Sequence, residues 1–376
     1  MSHRPEPTIV TTPKGLAALL PDLFAQPAVA VDTESNSLYA YNERICLIQF
    51  STPDFDAIVD PLARLDVTPL GELFADPAVQ KVFHAAEQDV AGLRRDIGCQ
   101  FANLFDTMWA ARILGWSRVG LADVLQETFG IHTDKRYQRY NWGKRPLDAQ
   151  ALAYARRDTR YLLPLREMQV EALARMGRDE EAAEVFAQLA QTAPAGPTFG
   201  PDAFWRMKGI HDVEGRELAV LWELYMWRDQ EAARRNRPPF KVVSNRVLLA
   251  LASLRPRKTG QMEGIRGLTP YLIRRYGRPL LEAVARGETG PIPTPPPQPP
   301  RPDRAVLARY QALRDWRRGV AARRQVDTDV VLSNATLWAL AERNPSTVAD
   351  LQGIEGLGPW KRQEYGAKIL RVLAKR

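Results

Sequence analysis

Apolar positions along the chain fall into two rhythms. Between residues 28 and 60 they form short runs broken by acids and turn residues. AVAVDTE (28–34) is an apolar run ending in acids, RICLIQF (44–50) is apolar, and DAIVD (56–60) is closed by Pro61. These runs predict three strands. Beyond them the spacing lengthens to a helical period. One helix is expected to begin near His84 and run through EQDVAGLRR, others to cover 106–114 and 121–129, and a long one to cover roughly 148–175. Strands followed by helices predict an α/β domain, a sheet flanked by helices, over residues 1–195.

Two segments break the pattern. QTAPAGPTFGP (191–201) has turn and linker composition, and GETGPIPTPPPQPPRP (287–302) reads as an extended, semi-rigid proline spacer. They bracket a repeat. Shifted by 89 residues, Trp227-Arg228 falls on Trp316-Arg317, and Ala232-Ala233-Arg234-Arg235 on Ala321-Ala322-Arg323-Arg324. VVSNRVLLALAS (242–253) falls on VLSNATLWALAE (331–342), and MEGIRGLTPYLIRRYG (262–277) on LQGIEGLGPWKRQEYG (351–366). Several matches in one register imply duplication. All-α modules are therefore expected over 203–287 and 303–376, joined by a linker over 288–302.

A hydrophobic fraction of 45% and a charged fraction of 26% over 376 residues are those of a soluble globular protein with room for two or three domains. The start, MSHRPEP, lacks the apolar core of a secretory signal, and every long apolar run is cut by proline or charge before membrane-span length. Cys46 and Cys99 are too few for a disulfide framework and fit a reducing cytosol. The four histidines never pair with cysteines at ligand spacing, which argues against a structural zinc site. No Gly-rich phosphate loop ending in Gly-Lys-Ser/Thr is present, which argues against an ATPase motor or a nucleotide cofactor. Charge changes the picture only when divided. Residues 1–200 hold 20 Lys+Arg against 26 Asp+Glu, whereas residues 201–376 hold 32 against 18. The basic half suits a polyanionic partner, and the acidic half can act on one if its carboxylates hold divalent cations.

The candidate chemistry lies in that acidic half. Asp32 and Glu34 sit two apart on a strand and share a face; Tyr154 and Asp158 sit four apart on a helix and share one too. Asp89 lies on the helix after His84. Magnesium prefers such hard oxygen ligands, and two ions about 4 Å apart stabilise both oxygens of a phosphodiester displacement. A phenol at Tyr154 is placed to orient the attacking water. Each piece has a bland reading: Asp-x-Glu as a solvated turn, and Tyr154 as a half-buried packing residue.

Their order carries a resemblance. AVDTESNSLYAYNERICLIQF (30–50), KVFHAAEQDVAGL (81–93) and LAYARRDTRYLLPL (152–165) resemble the three exonuclease motifs of the DEDD superfamily, and Tyr-x-x-x-Asp points to its DEDDy branch. Asp106-Thr107 and Arg145-Pro146-Leu147 are similar to ribonuclease D, and the duplicated modules resemble HRDC domains. Ser35 replaces a frequent phenylalanine, and the stretch after it is closer to eukaryotic exosome-associated relatives. The resemblance implies a ribonuclease H-like exonuclease domain with a mixed sheet, followed by two HRDC-like domains. It further implies two divalent metals (Mg2+ or Mn2+) on Asp32, Glu34, Asp89 and Asp158, and a nucleophilic water positioned by Tyr154. The activity implied is 3′-to-5′ trimming of RNA, tRNA precursors included, by a cytoplasmic monomer.

Other residues carry double readings. Leu38 is either an apolar contact for the terminal base or a core leucine. His84 either meets a phosphate or helps cap a helix. Trp142 and Arg145, in the basic aromatic loop DKRYQRYNWGKRP (134–146), either bind single-stranded RNA or pack a surface loop. Arg234, Arg235, Arg323 and Arg324 recur as a doublet and are read as phosphate contacts. GIEGLGPWK (353–361) resembles a helix-hairpin-helix tip able to offer backbone N–H groups to phosphate; a simple interhelix turn is the alternative. A DNA exonuclease and a catalytically silent RNA-binding scaffold remain the competing functions.

Overall fold

In the computed structural model, which describes residues 6–132, 135–297 and 301–375, the described residues build one six-stranded sheet. Strands β1 (Thr8–Val10), β2 (Ala28–Ser35), β3 (Ile45–Ser51), β4 (Asp56–Val59), β5 (Gln80–Phe83) and β6 (Leu104–Asp106) lie in the order β1-β4-β3-β2-β5-β6. β4 pairs parallel with β1 and antiparallel with β3, while β5 pairs parallel with both β2 and β6. The sheet is mixed, as expected. Val29, Ala30 and Val31 of β2 and every residue of β3 are buried. A strand covered on both faces has no solvent side, which is why these runs are apolar rather than alternating.

Helices α1 (Pro13–Phe24), α2 (Leu70–Ala75), α3 (Glu87–Ile97), α4 (Thr107–Leu114) and α5 (Leu121–Phe129) come next, with α6 (Ala149–Arg160), α7 (Leu162–Arg175) and α8 (Asp179–Leu189). Side-chain caps start several of them: Thr12 accepts from Gly15 N, Asp106 from Met108 and Trp109 N, and Asp148 from Ala151 N. Gly98, Gly115 and Gly130 end α3, α4 and α5 in the left-handed region, where a side chain would be strained. The single helix expected over 148–175 is two. Pro164 lacks an N–H and its ring opposes the carbonyl of Arg160, so the chain breaks at Tyr161 (φ −106°, ψ 0°) and restarts with proline in the first turn of α7.

The duplicated modules contain α9 (Gly215–Arg234), α10 (Asn245–Leu254) and α11 (Pro270–Thr289), then α12 (Arg304–Arg324), α13 (Thr328–Val331), α14 (Asn334–Arg343) and α15 (Pro359–Leu373). The repeat extends to atoms. Buried Arg228 donates to Val243 O at 3.0 Å and to Asn245 Oδ1 at 2.7 Å. Its counterpart Arg317 donates to Leu332 O at 2.7 Å and to Asn334 Oδ1 at 2.8 Å. In both copies one arginine ties the long first helix to the N-terminus of an equivalent helix, α10 in the first and α14 in the second. Part of the proline linker, residues 298–300, lies outside the described residues.

Packing does not follow the linear order of domains. One compact unit contains the chain through Glu34, Ile45–Ala195, and the second module from Arg301 onward. The other contains Ser35–Arg44 with the first module and its flanks, from Gly196 to the proline linker. Val330 of α13 joins the same apolar core as the sheet. In the other unit the Tyr41 hydroxyl donates to Asp229 at 2.9 Å, and Asn236 Oδ1 accepts from Tyr41 N at 3.1 Å and Asn42 N at 3.0 Å. The short segment after β2 is thus part of the first module's core.

Candidate active site

β2 and α6 deliver the acidic cluster. Asp32, Glu34 and Asp158 each present a carboxylate oxygen, all within 4.8 Å of one another, a set able to hold a metal ion. Asp89, in the first turn of α3, is buried and tied to the same strand: its Oδ1 accepts from Thr33 N at 3.1 Å and from Thr33 Oγ1 at 2.5 Å. Thr33 stands between Asp32 and Glu34, so this clamp registers α3 against β2. Tyr154, one turn before Asp158, is hydrogen-bonded to it.

Four neighbouring, largely desolvated acids repel. Burial first, then the charges of Asp89, Asp158 and Glu34, push Asp32 well above the usual carboxylate range. Burial, with Asp158 and Asp89, lifts Glu34 to about 9. Asp89 and Asp158 rise to about 7, burial outweighing the hydrogen bonds from Thr33 and Tyr154 that favour their charged forms. The Tyr154 phenol is likewise pushed up by burial and by Asp158, Glu34 and Asp32, which keeps it protonated. Such a cluster is costly as free anions, and a cation is what relieves it.

Residues without an assigned role set the geometry. The Asp106 carboxylate is fully buried and accepts four backbone N–H groups: Ala85 at 3.2 Å, Ala86 at 2.7 Å, Met108 at 2.8 Å and Trp109 at 3.0 Å. Ala85 takes φ +64°, and this turn aims α3 and so Asp89. On either side of Asp158, Arg156 is ion-paired to buried Asp56 at 2.6 Å, and Thr159 Oγ1 lies 2.7 Å from Ser51 Oγ. These contacts pin α6 to β3 and β4. Sequence gives no local sign of them, apart from the helix-opening pair Asp106-Thr107.

The other expected residues fall in different surroundings, some of them internal. Trp142 is 2% exposed and packs with Cys46, Ile58 and Ala155. Its ring is 6.1 Å from that of Tyr154 and so backs the phenol instead of offering a face to a base. Arg145 spends all five N–H donors inside the protein, on Asp60 twice (2.6 and 2.7 Å), Cys46 O, Trp142 O and Lys144 O. It staples the aromatic loop, which from Tyr137 onward packs behind Tyr154; Asp134, where that loop was expected to begin, lies outside the described residues. His84 neither caps a helix nor faces solvent. It is half-buried, held 2.9 Å from Thr107 Oγ1, and pushed down to about 4 by desolvation. Leu38 is 43% exposed, which removes the core reading. Arg234 is exposed and paired with Glu231 at 2.9 Å, Arg235 is half-buried on the same carboxylate, and Arg323 is exposed. Arg324 instead grips Glu181 and the Tyr365 hydroxyl, internal partners that leave it no fork for phosphate. The GIEGLGPWK tip is occupied as well: Glu184 accepts from Trp360 N at 2.6 Å and Lys361 N at 3.3 Å.

Residues 7–171 match the 3′-5′ exonuclease family, and residues 217–284 and 306–373 each match the HRDC domain. Over 98% of this chain and 93% of the relative, the sequence is 33% identical to ribonuclease D of Acidiphilium cryptum. It is 32% identical to ribonuclease D of Gluconacetobacter diazotrophicus over the same shares. Among solved structures, Escherichia coli RNase D shares the fold, with TM-score 0.69 and 24% identity over 99% of both chains. The catalytic core of RRP6 from Trypanosoma brucei is similar at TM-score 0.69 and 27% identity over 76% of this chain and 81% of that one. Among the described residues no helix is long and apolar enough to cross a membrane.

Proposed function

The chain belongs to the ribonuclease D family of 3′-5′ exoribonucleases, and from that premise we propose that it hydrolyses RNA from the 3′ end with two divalent cations, releasing 5′-mononucleotides. The observation that carries this reading is the convergence of Asp32, Glu34 and Asp158 within 4.8 Å, with Asp89 clamped beside them through Thr33. The donor set fits hard cations. It offers only carboxylate oxygens, half-buried and held at raised pKa, and Mg2+ or Mn2+ is the class of ion such oxygens prefer. Asp32, Glu34, Asp89 and Asp158 would hold the ions. When bound, they supply a water of lowered pKa and stabilise charge on the attacking and leaving oxygens.

The remaining work falls to the protein. Tyr154 stays protonated, so it is no general base at neutral pH; its hydroxyl orients water beside Asp158. Asp106 and Thr33 hold α3, and Arg156 and Thr159 hold α6, which supports a shared site for Asp89 on the one helix and Asp158 on the other. Structured RNAs with 3′ extensions, tRNA precursors among them, are the substrates we infer, because curated relatives over the whole length are ribonucleases D.

The test is incubation with 3′-labelled RNA and with sequence-matched DNA, in Mg2+ or Mn2+ and then with EDTA. Release of labelled mononucleotide from RNA, abolished by EDTA, is expected. Equal release from DNA, or release that survives EDTA, contradicts the reading.

A further inference from the structure

The two modules use one constellation in different ways. In the second, Trp316 and Tyr365 meet edge to face at 5.7 Å and 78°. Beside them Arg324 holds the Glu181 carboxylate through both terminal nitrogens and reaches the Tyr365 hydroxyl. The repeat register places Trp227, Arg235 and Tyr276 at the same positions in the first module. Trp227 and Tyr276 repeat the edge contact, at 5.4 Å and 70°, and the Arg235 guanidinium lies 5.6 Å from the Tyr276 ring. One copy of this arrangement is therefore seen receiving an oxyanion that comes from outside its own module.

The first copy keeps a cavity there, of about 310 Å3, lined by Trp227, Glu231, Arg234, Arg235, Arg275 and Tyr276. Three substitutions between the copies bear on its use. Arg275 stands where the second module has Glu364, adding a guanidinium 5.6 Å from the same ring. Glu231 stands where it has buried Val320, supplying one resident carboxylate to Arg234 and Arg235. Three guanidiniums against one carboxylate leave the cavity cationic. Thr269 stands where it has Gly358. Thr269 caps its own helix through Leu272 N at 3.3 Å. A Cβ at Gly358 would instead strike the Glu184 carboxylate, so the glycine admits the external acid that caps α15. The second copy is filled by an acid from outside its own module, whereas the carboxylate lining the first is Glu231 of its own helix, shared by Arg234 and Arg235.

We propose that the Trp227–Arg234–Arg235–Arg275–Tyr276 cavity of the first module receives a backbone phosphate of the RNA substrate, in the place where the second module receives Glu181. This rests on the exoribonuclease reading for the identity of the polyanion. RNA is favoured over an acidic protein segment by Tyr271 beside the cavity. Its ring is exposed and its hydroxyl accepts from Arg275 Nη1 at 3.0 Å, so an aromatic face for a base adjoins a fork for a phosphate.

The experiment is fluorescence anisotropy of the full chain with 5′-labelled single-stranded RNA in EDTA, over a series of KCl concentrations, for the wild type, Arg234→Gln, Arg275→Gln and Arg324→Gln. Arg234 and Arg275 are exposed, so the melting temperatures of those variants should match wild type. Each is expected to lose several-fold in affinity at low salt, and to flatten the dependence of log K on log salt by about 0.7 for each phosphate no longer neutralised. Arg324→Gln, assayed well below its lowered melting temperature so that the module stays docked, should leave that slope unchanged. Wild-type affinity and slope in both first-module variants would overturn the proposal and leave a protein carboxylate as the cavity's partner. A flattened slope in Arg324→Gln alone would overturn it too. Mononucleotide release in Mg2+ separates the two readings: release that is normal while the cavity variants bind like wild type sinks the cavity alone. Cavity-dependent binding without release from RNA sinks the nuclease reading alone.

Discussion

Removing the Arg324 guanidinium, as in Arg324→Gln, should loosen the second module from the sheet. The Glu181 side chain is wholly buried, Arg324 is 18% exposed, and both Glu181 oxygens accept from it. Loss of one partner of a buried pair leaves an uncompensated charge and costs about 3–5 kcal/mol. Here the lower end applies, because residual exposure lets water reach the site and Arg112–Asp329 and Glu184 still hold the module. Glu181→Gln should cost less than Arg324→Gln, since the freed guanidinium has a route to solvent while the freed carboxylate has none. The double variant should cost less than the two singles together, by about 1–3 kcal/mol of coupling. Scanning calorimetry with double-mutant-cycle analysis reads this directly, at about 2–4 °C per kcal/mol for a unit of this size. Additive effects, or a loss under about 2 °C in Arg324→Gln, would refute the view that this pair docks the module.

Four further outcomes are expected. Asp89→Ala should abolish mononucleotide release, leaving RNA affinity in EDTA within about twofold, because it leaves the net-basic residues 201–376 untouched; a retained rate would remove Asp89 from the site. Tyr154→Phe should lower kcat about 10–100-fold while metal affinity holds, as for groups that orient rather than ligate; titration of Mn2+ alongside single-turnover kinetics checks both halves. Asp106→Asn keeps one acceptor oxygen but faces Ala86 N–H with an amide donor, so it should cost about 2–4 kcal/mol and slow turnover through α3. Near-wild-type kinetics at full stability would show that α3 does not depend on it. In EDTA the melting temperature should fall from pH 5 to pH 9. The buried acids have folded pKa values raised above their unfolded ones, so the folded chain holds more protons across that window, and stability is lost as pH rises through about 7 (Asp89, Asp158) and about 9 (Glu34). Mg2+ should restore it at high pH, and a flat or rising EDTA profile would contradict the clustering of these acids.

Periodicity made much of the fold legible. The apolar run ending in Asp32 and Glu34 announced a buried strand, and the 89-residue repeat announced two helical modules that share even the Arg228 and Arg317 struts. What periodicity cannot show is the partner of a buried face. Glu181 sits in Asp-Glu-Glu-Ala-Ala-Glu, which reads as the solvated acidic first turn of a helix; it is buried only because Arg324 arrives from 143 residues away. Cutting the chain before the first module would therefore strip Val330 from the core of the exonuclease domain along with the HRDC helices. Trp142 and Arg145 failed as RNA contacts for a related reason. A loop rich in aromatics and bases has the composition of a nucleic-acid surface whether its rings face out or, as here, pack behind Tyr154. The two same-face pairs, Asp32 with Glu34 and Tyr154 with Asp158, were visible from spacing alone. Their convergence depends on Thr33, Asp56 and Ser51, which look ordinary in sequence.

Isothermal titration of the metal-free chain with Mn2+, wild type against Asp158→Ala, tests the carboxylate site most directly. Two ions per chain are expected for wild type, with at least one lost in the variant and with mononucleotide release from RNA rising in step with occupancy. Binding isotherms that coincide for the two proteins would contradict the assignment of these acids to the metals.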